Sequence, residues 1–171
     1  MSSIDRQSMT IAQFEELPAR RDDSVFDYEL IHGEVFEVSP SGTLPSIVTA
    51  SLTRKPGDFV AANDLGVVMS AEGGYILSQI TREFFRGASD FAVEVQSQND
   101  TKRVMRRNVK LYLAAGTRLV WLVFTGDRAA EVYQPGLDEI VVGADGLLSG
   151  ADTLPGLSLP VCDIFPTLRT P

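Results

Sequence analysis

Ser89-Asp90-Phe91-Ala92-Val93-Glu94-Val95-Gln96-Ser97 is the stretch on which the fold turns. Its centre, Asp90–Gln96, alternates between two sets of residues and predicts a strand. Asp100 or Thr101 can cap a helix that runs to about Ala115. Gly116 suits the left-handed position that follows a helix. Leu119-Val120-Trp121-Leu122-Val123-Phe124 is apolar throughout, as a strand covered on both faces must be. Strand, helix, strand is a crossover unit, so the two strands are predicted to be parallel neighbours.

Toward the C-terminus, Thr125–Arg128 turns into a strand at Ala130–Tyr133, with short strands at Glu139–Val142 and near Leu157–Leu159. Toward the N-terminus, Thr10–Leu17 reads as a short helix, with Thr10 as cap and Gln13 completing a capping box. Tyr28–Ile31 and Glu34–Val38 read as a hairpin about His32-Gly33. Pro45–Ala62 has helical apolar spacing, but Pro56 and Gly57 predict a kink or two short helices. Gly66–Leu77 reads as strand, hairpin and strand, bent at Gly73-Gly74. The hairpins are expected to extend the central sheet. The expectation is one α/β domain over residues 1–171, a mixed β-sheet with a strand-helix-strand crossover and flanking helices.

The apolar runs fall short of the roughly 20 residues that a membrane span needs. The N-terminus shows no basic region followed by an apolar core, so a cytoplasmic protein without a membrane partner is expected. One Cys and one His make a structural zinc site and a disulfide framework poor readings. The net charge of −8 argues against broad electrostatic binding of nucleic acid, yet not against a nuclease, whose metal site is itself acidic.

Strand side chains alternate, so Asp90, Ala92, Glu94 and Gln96 share one face and Phe91, Val93, Val95 and Ser97 the other. A carboxylate among such apolar neighbours needs a partner. A metal ion is one option; an arginine, or exposure at a sheet edge, is the other. The basic cluster at 102–110 could contact phosphates, but a helical wheel favours a solvated outer face for Lys102, Arg103, Arg106, Arg107 and Lys110. His32 is read as a turn residue and Cys162 as a packed thiol.

The chain resembles the Uma-two family of restriction-endonuclease-like proteins in the PD-(D/E)xK nuclease superfamily. The resemblance rests on the Thr10–Leu17 helix, Tyr28-Glu29-Leu30-Ile31-His32-Gly33-Glu34, the Ser89–Ser97 strand, Tyr112–Val123, and Leu154–Pro160 followed by Ile164-Phe165. It implies metal-dependent hydrolysis of DNA, with magnesium or manganese held by carboxylates. On this resemblance Glu94 is the signature glutamate and a metal ligand. Gln96 stands where the superfamily often has lysine, and Glu29 and Glu34 match the hairpin carboxylates, Glu34 as a second ligand. A homodimer is expected from the fold-level analogy.

Three departures from the family pattern point to a degenerate site. No Pro-Asp pair lies between Ser78 and Ser89, where the family carries its other main ligand. Asp90 is about 13 Å along the strand from Glu94, too far to share a metal whose ligands sit about 2.1 Å away. Asn108 replaces the family's helix lysine, in a position that the wheel sets mid-way across the sheet-facing arc, with Val104, Met105, Leu111, Tyr112 and Ala115 within about 60°. Pro45 stands near the place of a family histidine. The expected function is an endonuclease-like protein with activity reduced or lost. The alternatives are a silent member that binds or self-associates, and a module with no nucleic-acid role.

Overall fold

The structure is a computed structural model and describes residues 9–16, 27–31, 33–38, 41–70, 75–76 and 85–167. The chain divides into two compact units, Met1–Ser41 and Gly42–Pro171. The first holds helix α1 (Ile11–Glu15) and a hairpin of β1 (Asp27–Ile31) and β2 (Glu34–Val38). The capping box forms as expected: Gln13 N–H donates to Thr10 Oγ1, and Thr10 N–H donates to Gln13 Oε1 at 2.9 Å. The turn requires Gly33, whose φ of 82° a side chain would strain. Among the described residues this hairpin pairs as a two-stranded sheet, where the sequence reading expected it to be part of a larger one.

The second unit is built on a mixed four-stranded sheet in the order β5-β6-β7-β8: Phe91–Val95, Leu119–Phe124, Ala129–Tyr133 and Ile140–Val142. Strands β5 and β6 are parallel, joined through helix α3 (Lys102–Ala115), while the later pairs are antiparallel. Thr101 caps α3, and Gly116 ends it at φ 112°, as the sequence predicts. All six residues of β6 are buried. Leu119, Trp121 and Val123 face helix α2 (Thr43–Ala62) and the C-terminal segment; Val120, Leu122 and Phe124 face α3.

Helix α2 is one continuous helix with Pro56 inside it, so of the two expected outcomes, a kink or two short helices, the second does not occur. Its buried row Pro45, Val48, Leu52, Pro56 and Val60 lies against the sheet. A proline inside a helix costs about 3 kcal/mol, but burying each Val or Leu contributes roughly 1.5–3 kcal/mol, so the row outweighs the lost hydrogen bond. Residues 66–70 form no strand. The Gly73-Gly74 bend lies outside the described residues, and the short strands β3 (Tyr75–Ile76) and β4 (Phe85–Arg86) pair in parallel.

The strand expected near Leu157–Leu159 is β10 (Ser158–Pro160), paired with β9 (Leu147–Ser149), which the sequence reading did not foresee. A short 3-10 helix, Val161–Ile164, follows and leaves Cys162 exposed rather than packed. The hairpin closes tightly on Gly150: a Cβ there would lie 2.3 Å from the Leu154 carbonyl oxygen and 2.8 Å from Leu157 Cβ. Gly150→Ala is therefore expected to cost about 2 kcal/mol in urea unfolding, as overpacking does. Gly126→Ala, with nothing within 4 Å of its Cβ position, is expected to stay within about 0.5 kcal/mol of the parent.

Candidate functional site

The strand register places Glu94 opposite Leu122, Leu122 opposite Glu131, and Glu131 opposite Val141. Opposed residues share a face, so Glu94 and Glu131 lie in one row on the α3 side, roughly 10 Å apart across one strand. Glu94 is half-buried and is not without a partner. Gln96 continues the ladder past β5, its N–H donating to Val123 O at 2.8 Å. Its side-chain Nε2 donates to Asp100 O at 3.0 Å, and Asp100 Oδ2 accepts from Ser97 N–H at 2.9 Å. Gln96 thus fastens the turn into α3. Asp90 is exposed at the other end of the strand, 3.8 Å from Arg118.

Helix α3 is rotated from its sequence-predicted setting. Met105 and Val109 form its buried centre, and Val104 is exposed. Asn108 and Arg106 therefore flank that centre on opposite sides, each about 80° away. Asn108 is half-buried, with its Oδ1 buried and accepting no hydrogen bond. Arg106 leaves the solvated face assigned to it and reaches Glu131: Nη2 bonds Oε1, and Nε donates to Oε2 at 3.0 Å. The Tyr133 hydroxyl donates to the same Oε2 at 2.6 Å. Lys102 stays exposed, as expected, while pairing with Asp127 and lying 4.7 Å over the Phe124 ring.

The electrostatics follow from this contact. Glu131, only 4% exposed, is held below the usual carboxylate range by the Arg106 hydrogen bonds and then by Tyr133, against the opposing effect of burial. Burial, and next the bond to Glu131, push the Tyr133 hydroxyl up to about 12. The network escaped the sequence reading, although Glu131 between Ala130 and Val132 posed the same question as Glu94. A carboxylate on a buried strand needs a partner, and α3 carries the cations.

In the first unit, Glu29 opposes Phe36 and Glu34 opposes Ile31, which puts both carboxylates on one face of the hairpin, roughly 8 Å apart. Both are exposed. Among the described residues no three His, Cys, Asp or Glu side chains converge as a metal site. A hard cation such as magnesium needs near-octahedral oxygen ligands at about 2.1 Å. In the row on the sheet, Glu131 cannot lend oxygens without releasing Arg106. The described donor set therefore does not fit a protein-held divalent ion.

The chain matches the family Uma2, described as "Putative restriction endonuclease", over residues 67–162, and belongs to it. That family, restriction-endonuclease-like, generally uses divalent metals. The fold is similar to the crystal structure of a "putative nuclease belonging to DUF820" from Anabaena variabilis ATCC 29413, with TM-score 0.74 and 18% identity. The similarity covers 92% of this chain and 97% of that one, and it shows the shared nuclease-like α/β fold. No curated protein matches. No helix among the described residues is long and apolar enough to cross a membrane.

Two outcomes test the network. Arg106→Met leaves a buried carboxylate without its cation and is expected to cost about 2 kcal/mol, below the range for fully buried pairs because Arg106 is half-exposed. The double variant with Glu131→Met should recover much of that loss in a double-mutant cycle. Glu131 has a lowered folded-state pKa, so its contribution is present above its unfolded value of 4.5 and is lost as pH falls through the folded value. The acid limb of stability should therefore flatten in Arg106→Met. Separately, Asn108→Leu removes an orphaned acceptor and should raise stability by about 1 kcal/mol in urea unfolding.

Proposed function

We propose that the chain is a DNA-directed member of its nuclease family in which magnesium- or manganese-dependent phosphodiester cleavage is reduced or lost. The observation that carries this reading is the row Glu94–Leu122–Glu131. Of its two carboxylates, Glu131 is neutralised by an internal arginine and so does not add a second metal ligand beside Glu94. The remaining positions support it. Gln96 is committed to a turn, and Asn108 supplies neither charge nor a proton at the family's lysine position. Glu29 and Glu34 are proposed to keep, on one face of the first unit's hairpin, the carboxylate roles that the family resemblance gives them. What the chain's own residues provide is a rigid sheet and a helix presenting cations beside it.

Purified protein with magnesium or manganese is expected to show little nicking of supercoiled plasmid. Robust cleavage abolished by Glu94→Ala would sink the proposal.

Self-association is favoured by one further observation. Among the described residues β8 is the last strand of its sheet, with Ile140 and Val141 exposed by 56% and 68% on opposite faces. An apolar open edge of this kind is a template for a second copy. We propose a homodimer through this edge. Light scattering should give twice the chain mass, and Val141→Lys should return the monomer; a parent that is monomeric at high concentration would exclude it.

A further inference from the structure

Helix α3 carries five cations, Lys102, Arg103, Arg106, Arg107 and Lys110, and no Asp or Glu, in a chain whose net charge is −8. This arrangement opposes the helix's own stability. The cations begin in the first turn, where the helix dipole is already positive, and none lies in the last turn, where they would be favoured. Like charges also stand three and four residues apart, which is repulsive. Internal pairing accounts for Lys102 with Asp127 and Arg106 with Glu131. It does not account for Arg103 and Lys110, which are exposed and have no ion-pair partner among the described residues. With exposed Arg107 they form a stripe at positions i, i+4 and i+7.

We infer that this outer stripe of α3 is a docking surface for the phosphate backbone of duplex DNA. The choice of DNA rests on the proposed function; the surface itself rests on the charge pattern. Seven residues of helix span about 10 Å, over which one strand of B-DNA presents about three phosphates. Arg103 and Lys110, at the two ends of that span, thus each meet a phosphate. No exposed residue of α3 is aromatic, so the stripe lacks the stacking platform that single strands use. Val104 is its one exposed large apolar residue, which gives a membrane surface little to anchor. The acidic remainder of the chain does not cancel the stripe, because screening confines each charge to about 8 Å at physiological salt.

The test is titration of the full chain into a fluorescent 30-base-pair duplex across a salt series. The parent should bind, with affinity falling steeply as salt rises. The Arg103→Gln/Lys110→Gln variant should bind at least tenfold more weakly and reduce the slope of log K against log salt by about 2. Its unfolding midpoint should not fall, since both side chains are exposed. Arg54→Gln, which removes an exposed charge elsewhere, should bind as the parent does. Absence of parental binding, equal binding by the double variant, equal weakening by Arg54→Gln, or a preference for anionic vesicles over duplex would each overturn the inference. Plasmid cleavage is read separately, so a failed docking surface and a failed functional proposal remain distinguishable.

Discussion

The burial of β6 on both faces is the constraint from which the second unit is organised. Six consecutive apolar side chains, Leu119–Phe124, alternate to opposite sides, so neither face of the sheet can be left to solvent. Helix α2 and the C-terminal hairpin cover one face; α3 covers the other. The requirement is strong enough to keep α2 continuous through Pro56, because breaking the helix would expose the row from Val48 to Val60. The same strand fixes the pairing of β5 and β7 on its two edges. A slip of one residue in either neighbour would turn its apolar set away from its helix.

That register also determines the chemistry. Glu94 and Glu131 come to one face because each stands opposite Leu122, not because they are close in sequence. On a face covered by an apolar helix, a carboxylate must be neutralised or solvated. For Glu131 the fold supplies Arg106 and Tyr133. Two guanidinium bonds and a phenol occupy the carboxylate, and the arginine contacts lower its pKa. The arrangement holds α3 against β7 while leaving the β5 side of the helix to Asn108.

Much of the fold was legible because its signals are local. The Thr10 capping box, the Thr101 cap, Gly116 and the uniform apolarity of β6 each depend on residues within a few positions of one another. What could not be read depends on distant partners. Strand β9 makes sense only once β10 lies beside it. The setting of α3 was misjudged because a wheel weighs Val104 as core and Arg106 as surface. Arg106 turns inward only because Glu131, 25 residues away, is there to receive it. Glu94 was placed on the α3 face by alternation alone, whereas the use of Gln96 in the turn required the position of Asp100.

A nuclease site and a structural ion pair begin from the same physical problem, an acidic side chain on a buried sheet face. They differ in whether the compensating charge can leave. A metal ion exchanges with solvent and brings water and phosphate with it; an arginine tethered to a packed helix does not. In this chain one of the two carboxylates of the row, Glu131, has the tethered solution. The cations that α3 does carry are divided between internal pairs and its outer stripe. The fold holds a sheet and a charged helix in fixed relation, with Arg106 directed to Glu131 on one side of the helix's buried centre and Asn108 on the other.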